Sequence, residues 1–143
     1  MWEKYIEQLP KLSEGSHKEG SGSLCAMEMV AFMERLPHSD APPCTCSVLA
    51  AYTRALNDSM DDTSRQMLLP VLPMLVGTVN KDLVAARAKF FSDAARDRFL
   101  PLKGPEVWAE AVAVLVEAIE LDTERVVAQW QPETVKSLIK EFS

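Results

Sequence analysis

Proline and glycine cut this chain into short pieces, and nearly every piece between the cuts repeats its apolar residues at helical rather than strand spacing. Trp2 to Leu9 is a short helix stopped by Pro10, and Leu24 to Leu36 is a strongly apolar helix stopped by Pro37. Ser47 is a good N-cap for a helix to about Met60, with Val48, Leu49, Tyr52 and Leu56 inward. Ser64 to Val76 contains Pro70 and Pro73, so it must be kinked or split before Gly77 ends it. Asn80 caps a helix to about Leu100, striped by Val84, Ala88, Phe91, Ala95 and Phe99 with Leu83, Phe90 and Ala94 alongside. Gly104-Pro105 opens another, with Trp108, Ala111, Val112, Leu115 and Ile119 on one face. Pro132 begins the last, whose Val135, Leu138, Ile139 and Phe142 share a face.

The pattern predicts an all-α fold: a single compact bundle of about six helices, with a Pro-rich loop after the second. A chain of 143 residues, 48% hydrophobic and 25% charged, is the size and composition of one globular domain. Residues 1–143 are therefore read as one helical domain. Its first part, 1–23, is a short helix and a flexible linker, SEGSHKEGSGS, and 24–143 is the helical core. No apolar run reaches membrane-spanning length, and the amino terminus mixes acids with bases and lacks an apolar segment. The odd count of three cysteines argues against a disulfide framework, so cytoplasmic residence and no membrane partner are the expectations.

A net charge of −6 disfavours direct nucleic-acid binding, which needs a basic face. The charge is uneven. Lys81, Arg87, Lys89, Arg96, Arg98 and Lys103 dominate one stretch, and residues 105–124 hold six acids and no base. Two neighbouring helices with complementary outer faces explain this best.

Chemistry-bearing residues concentrate between Cys25 and Cys46. Cys25, His38, Cys44 and Cys46 form a candidate zinc set, because thiolates and imidazole are the ligands zinc prefers. The C-x-C spacing is less usual than C-x2-C, and the alternative is a core thiol at Cys25 with two loop thiols. His17 is a weaker substitute for His38, and a Cys44–Cys46 disulfide would be strained. Glu28 sits in the apolar helix between Met27 and Met29. If it faces inward, Arg54 on the next helix is a partner for it, with Asn57 one turn on; otherwise it shares a solvated stripe with Glu34 and Arg35. His38-Ser39-Asp40 reads as a turn rather than a triad, whose members converge from separate elements. No G-x-S-x-G, H-E-x-x-H or P-loop pattern is present.

The run Cys25-x-Met27-Glu28, His38-Ser39-Asp40-x-Pro42-x-Cys44, Asn57-Asp58, Arg65-x-x-Leu68-Leu69-Pro70 and Leu75-Val76-Gly77-Thr78 resembles a block in small helical proteins of bacteria and phages. That resemblance covers under half of the chain and carries no catalytic role. It implies that Cys25, Glu28, Asp40, Cys44, Asn57 and Asp58 belong to one constellation, beside Arg54.

The leading expectation is a non-enzymatic interaction module, in the light of the resemblance a modulator of a host protein. Its partner is another protein, and self-association into a homo-oligomer is compatible with it. One alternative is a zinc-binding domain, structural or hydrolytic, with Glu28 as acid–base group; the leading reading needs no cofactor. A second is an acidic DNA mimic using the face of Glu106, Glu110, Glu117, Glu120 and Glu124.

Overall fold

The most apolar helix lies at the centre. In α1 (Ala26–Met33) Ala26, Met27, Met29, Val30 and Ala31 are fully buried, as expected of a helix hydrophobic on all sides. The computed structural model describes residues 2–125 and 130–142, with side chains to residue 140, and its architecture is an all-α bundle.

Around α1 pack α2 (Ser47–Ser59) and a continuous run made of α3 (Asp62–Arg65) and a 3-10 segment, Gln66–Leu75. The 3-10 winding is what Pro70 and Pro73 demand, since neither can donate an N–H to an α ladder. It still buries Leu68, Leu69, Val71, Leu72 and Leu75. Gly77 ends the run at φ +75°, a conformation glycine takes without cost, and its N–H donates to the Cys44 carbonyl at 2.8 Å.

A 3-10 turn, Lys81–Leu83, leads into α4 (Val84–Ala94), and a π-helical turn, Ala95–Phe99, ends it. α5 (Glu106–Ile119) packs on α2 and α4, burying Ala111, Val114, Leu115, Ala118 and Ile119. α6 (Pro132–Phe142) lies against the N-terminal 3-10 turn, Trp2–Gln8, where the Trp2 and Trp130 rings meet edge to face at 5.1 Å. Val135 and Leu138 are buried as the spacing predicts; the Phe142 side chain lies outside those described. No helix among the described residues is long and apolar enough to cross a membrane.

Three readings change. Ser47 is the first residue of α2 rather than its N-cap, which is Cys46. The inner face of α4 is not the predicted stripe: Val84, Ala88 and Ala95 are exposed, and Arg87 and Ala94 are buried. Arg87 points inward because its guanidinium donates to the carbonyls of Thr78 (2.9 Å), Ala118 (3.1 Å) and Ile119 (3.5 Å), capping the C-terminal end of α5. α1 is also shorter than the apolar run. It starts after Cys25, the N-cap, and ends at Met33, four residues before Pro37. The end is a Schellman turn: Leu36 donates to Ala31 and Arg35 to Phe32, with Arg35 at φ +57° in the place glycine usually takes.

Candidate functional site

The site forms where α1 begins. Cys25 and Glu28 make a capping box, in which the Glu28 N–H meets the Cys25 thiol at 3.5 Å and the Cys25 N–H donates to Glu28 Oε1 at 2.8 Å. The box turns Glu28 inward, and the side chain is 2% exposed. It therefore does not share a solvated stripe with Arg35.

A buried carboxylate needs donors, and Glu28 draws three more from outside its own helix. The His17 N–H donates to Oε2 at 2.8 Å, and the His17 ring places Nδ1 2.9 Å from Oε1. His38 Nε2 lies 3.3 Å from Oε2 and 2.6 Å from the His17 carbonyl. Burial alone would push the Glu28 carboxyl up, but the N–H groups of His17 and Cys25 and the His17 ring outweigh it, and the net direction is downward. Glu28 is thus ionised at neutral pH and acts only as an acceptor.

That fixes the imidazoles. Both groups facing His38 Nε2 are acceptors, so this nitrogen carries the hydrogen; the same argument puts a hydrogen on His17 Nδ1. The second nitrogen of each ring, His38 Nδ1 and His17 Nε2, makes no hydrogen bond to another described residue. Both histidines of the chain are gathered on one carboxylate.

Cys25, Glu28, Asp40, Asn57 and Asp58 come together around the segment before α1, while Cys44 meets Thr45 and Gly77 instead. Residues 13–17, expected as linker, run as a strap pinned at successive points. Asn57 Nδ2 donates to the Ser13 carbonyl at 2.8 Å, and Asn57 Oδ1 accepts from the Ala26 N–H at 3.0 Å. Asp58 accepts from the Gly15 N–H at 2.8 Å, where φ of +79° suits glycine. Asp40 accepts from Ser16 Oγ at 3.1 Å, and Glu28 takes His17. Arg54 does not pair with Glu28; it donates to the Asp40 carbonyl at 2.9 Å and so steadies the Pro-rich loop.

The zinc set does not assemble. Cys25 Sγ is used in the capping box, and the Cys46 N–H donates to Thr78 Oγ1 at 2.9 Å while its thiol is buried. Cys44 lies beside Thr45 with its carbonyl held by Gly77, and His38 turns to Glu28. All three cysteines are free, and no group of three or more His, Cys, Asp or Glu among the described residues is arranged to hold a metal ion. The imidazole nitrogens facing Glu28 carry hydrogens where a cation would need lone pairs. Nor is Cys25 a nucleophile: burial and the adjacent Glu28 charge push its thiol up to about 12.

Beside the knot lies a cleft of about 700 Å³. The glycine-rich segment after the strap forms one wall, with Glu19, Gly20 and Gly22; Phe32, Leu36, Pro37 and His38 form the other. His17, the residue that closes the knot, was read only as a spare ligand. The available signal was the capping-box spacing of Cys25 and Glu28, which aims the carboxylate back along the chain toward the segment before the helix.

No family model matches the chain, and no curated protein or solved structure matches it.

Proposed function

We propose that this protein is a non-enzymatic interaction module of the cytoplasm, which presents the cleft beside the His17–Glu28–His38 knot to a segment of another protein. The observation that carries the reading is how the conspicuous polar residues are used. Glu28, Asp40, Asn57 and Asp58 each hold one point of the strap, and Arg54 holds the loop that supplies Asp40. They pin residues 13–17 rather than form a reaction centre, and that pinned segment leads directly into the Glu19, Gly20 and Gly22 wall of the cleft.

The charge distribution supports this over the DNA mimic. Arg98 binds both Glu110 and Glu117, so two of the five carboxylates of the acidic face are neutralised within the molecule. The resemblance to small bacterial and phage proteins adds the reading of a modulator acting on a host protein.

The test is selection of binding peptides from a random display library, followed by amide chemical-shift mapping with the selected sequences. The expected result is saturable binding that moves the amides of Gly20, Phe32, Leu36 and His38. Shifts confined to another face, or no peptide binding below millimolar concentration, would contradict the proposal.

A further inference from the structure

We propose that residues 18–23 are a flap on the cleft, held at two fixed ends, which closes on the segment bound there. The inference rests on the interaction reading above and names the part of that same site that moves.

The loop from Leu12 to Leu24 is tied at its base and divided into two unlike arms. At the base Leu12 and Leu24 are buried and joined by a parallel β-bridge, and the Ser13 N–H donates to the Leu24 carbonyl at 2.8 Å. Gln66 adds a second tie: its side-chain amide accepts from the Leu12 N–H at 3.0 Å and donates to the Leu12 carbonyl at 3.1 Å. A surface loop with its ends held together in this way is an Ω-loop, a form often used for function. The first arm, residues 13–17, is fixed by Asn57, Asp58, Asp40 and Glu28. It ends at His17, whose N–H is held by Glu28 and whose carbonyl is held by His38.

The second arm has no such ties. Lys18 to Gly22 are exposed, and among the described residues every hydrogen bond made by residues 18–23 stays within them. The Ser21 N–H donates to the Lys18 carbonyl at 3.2 Å, and the Ser23 N–H to Ser21 Oγ at 3.3 Å. Gly20 occupies the third position of that turn at φ +79°, as a type II turn requires, and Gly22 at φ +88° leads the chain back toward Leu24. A turn closed on itself can swing between its fixed ends without breaking a hydrogen bond to the rest of the molecule. Glu19, Gly20, Gly22 and Ser23 line the cleft together with Phe32, Leu36 and Pro37, so this swing changes the width of the cleft while the first arm stays in place.

Nitrogen-15 relaxation of the full chain, free and saturated with a peptide selected by display, tests the flap. Expected in the free protein are order parameters below about 0.6 for residues 19–23 and about 0.85 for residues 15–17. With peptide bound, the flap should rise to the value of the first arm. A second measurement uses the double variant Gly20→Ala, Gly22→Ala. A Cβ at either position meets nothing within 4 Å, so the change acts through backbone conformation alone. It opposes the positive φ angles of the form that walls the cleft, and peptide affinity should fall about ten-fold, with the His17 amide still slow to exchange. Equal order parameters in the two arms of the free protein, or unchanged affinity in the variant, overturn the inference. Peptide binding that shifts the Phe32 and Leu36 amides and leaves the flap mobile keeps the interaction module and overturns the flap. Low order parameters confined to residues 19–23, with no peptide selected, support the hinged arm and overturn the protein partner.

Discussion

The chain buries one carboxylate and one guanidinium that answer the same problem in opposite ways. Glu28, at the start of α1, is surrounded by N–H donors from the strap, the capping box and two imidazoles. Arg87, on the inner face of α4, is surrounded by carbonyls and has no ion-pair partner among the described residues. In each case backbone dipoles take most of the place of a counter-ion. The difference lies in what is held. Arg87 joins one finished helix end to the turn at Thr78. Glu28 holds a segment, residues 15–17, with no helical hydrogen bonds of its own.

Removing Glu28 should therefore cost the most. Glu28→Ala leaves the His17 and Cys25 N–H groups and the His17 ring N–H without their acceptor, and we expect a loss of about 3–5 kcal/mol in denaturant unfolding. The loss should be accompanied by faster tryptic cleavage at Lys18, which is exposed on the strap.

The same carboxylate sets an acid limit. Its folded-state pKa lies below the ordinary value, so its contribution is complete above the unfolded pKa and is lost as pH falls through the folded one. Stability measured against pH should fall along this limb in the native protein, and the limb should flatten in Glu28→Gln.

Arg87→Met sharpens the comparison. It removes a buried charge together with its hydrogen bonds, and buried carbonyls tolerate missing partners better than N–H groups do. The expected loss is about 2–3 kcal/mol, less than for Glu28, with the strap still resistant to trypsin. A larger loss than Glu28→Ala would reverse the order argued here. Arg98→Ala should have the smallest effect, below about 1 kcal/mol, because its pairs with Glu110 and Glu117 lie in partly exposed positions where solvent screens them.

The sequence made some of this visible and hid the rest for physical reasons. Helices were legible wherever apolar spacing agreed with a breaker, as at Pro105, Gly77 and Pro132. The grouping of Glu28, Asp40, Asn57 and Asp58 comes only from the resemblance to small bacterial and phage proteins; spacing and periodicity do not supply it. What they would hold was not legible. A strap rich in serine and glycine has the composition of a solvated linker, and its order comes from side chains 11 to 44 residues away in sequence. Arg87 was hidden by the same limit: a charged residue in a basic run reads as surface, and only the position of the α5 carbonyls turns it inward. The structure does not bring Cys25, His38, Cys44 and Cys46 together, because a thiol at a helix start satisfies a backbone N–H as well as it binds a metal.

Amide hydrogen exchange at His17 tests the central claim most directly, since its N–H is reserved for a buried carboxylate in the middle of a segment of linker composition. The account predicts that the His17 amide exchanges far more slowly than the exposed Lys18 and Glu19 amides, and that Glu28→Gln removes the difference. Exchange of His17 at the rate of an unstructured peptide in the native protein would contradict it.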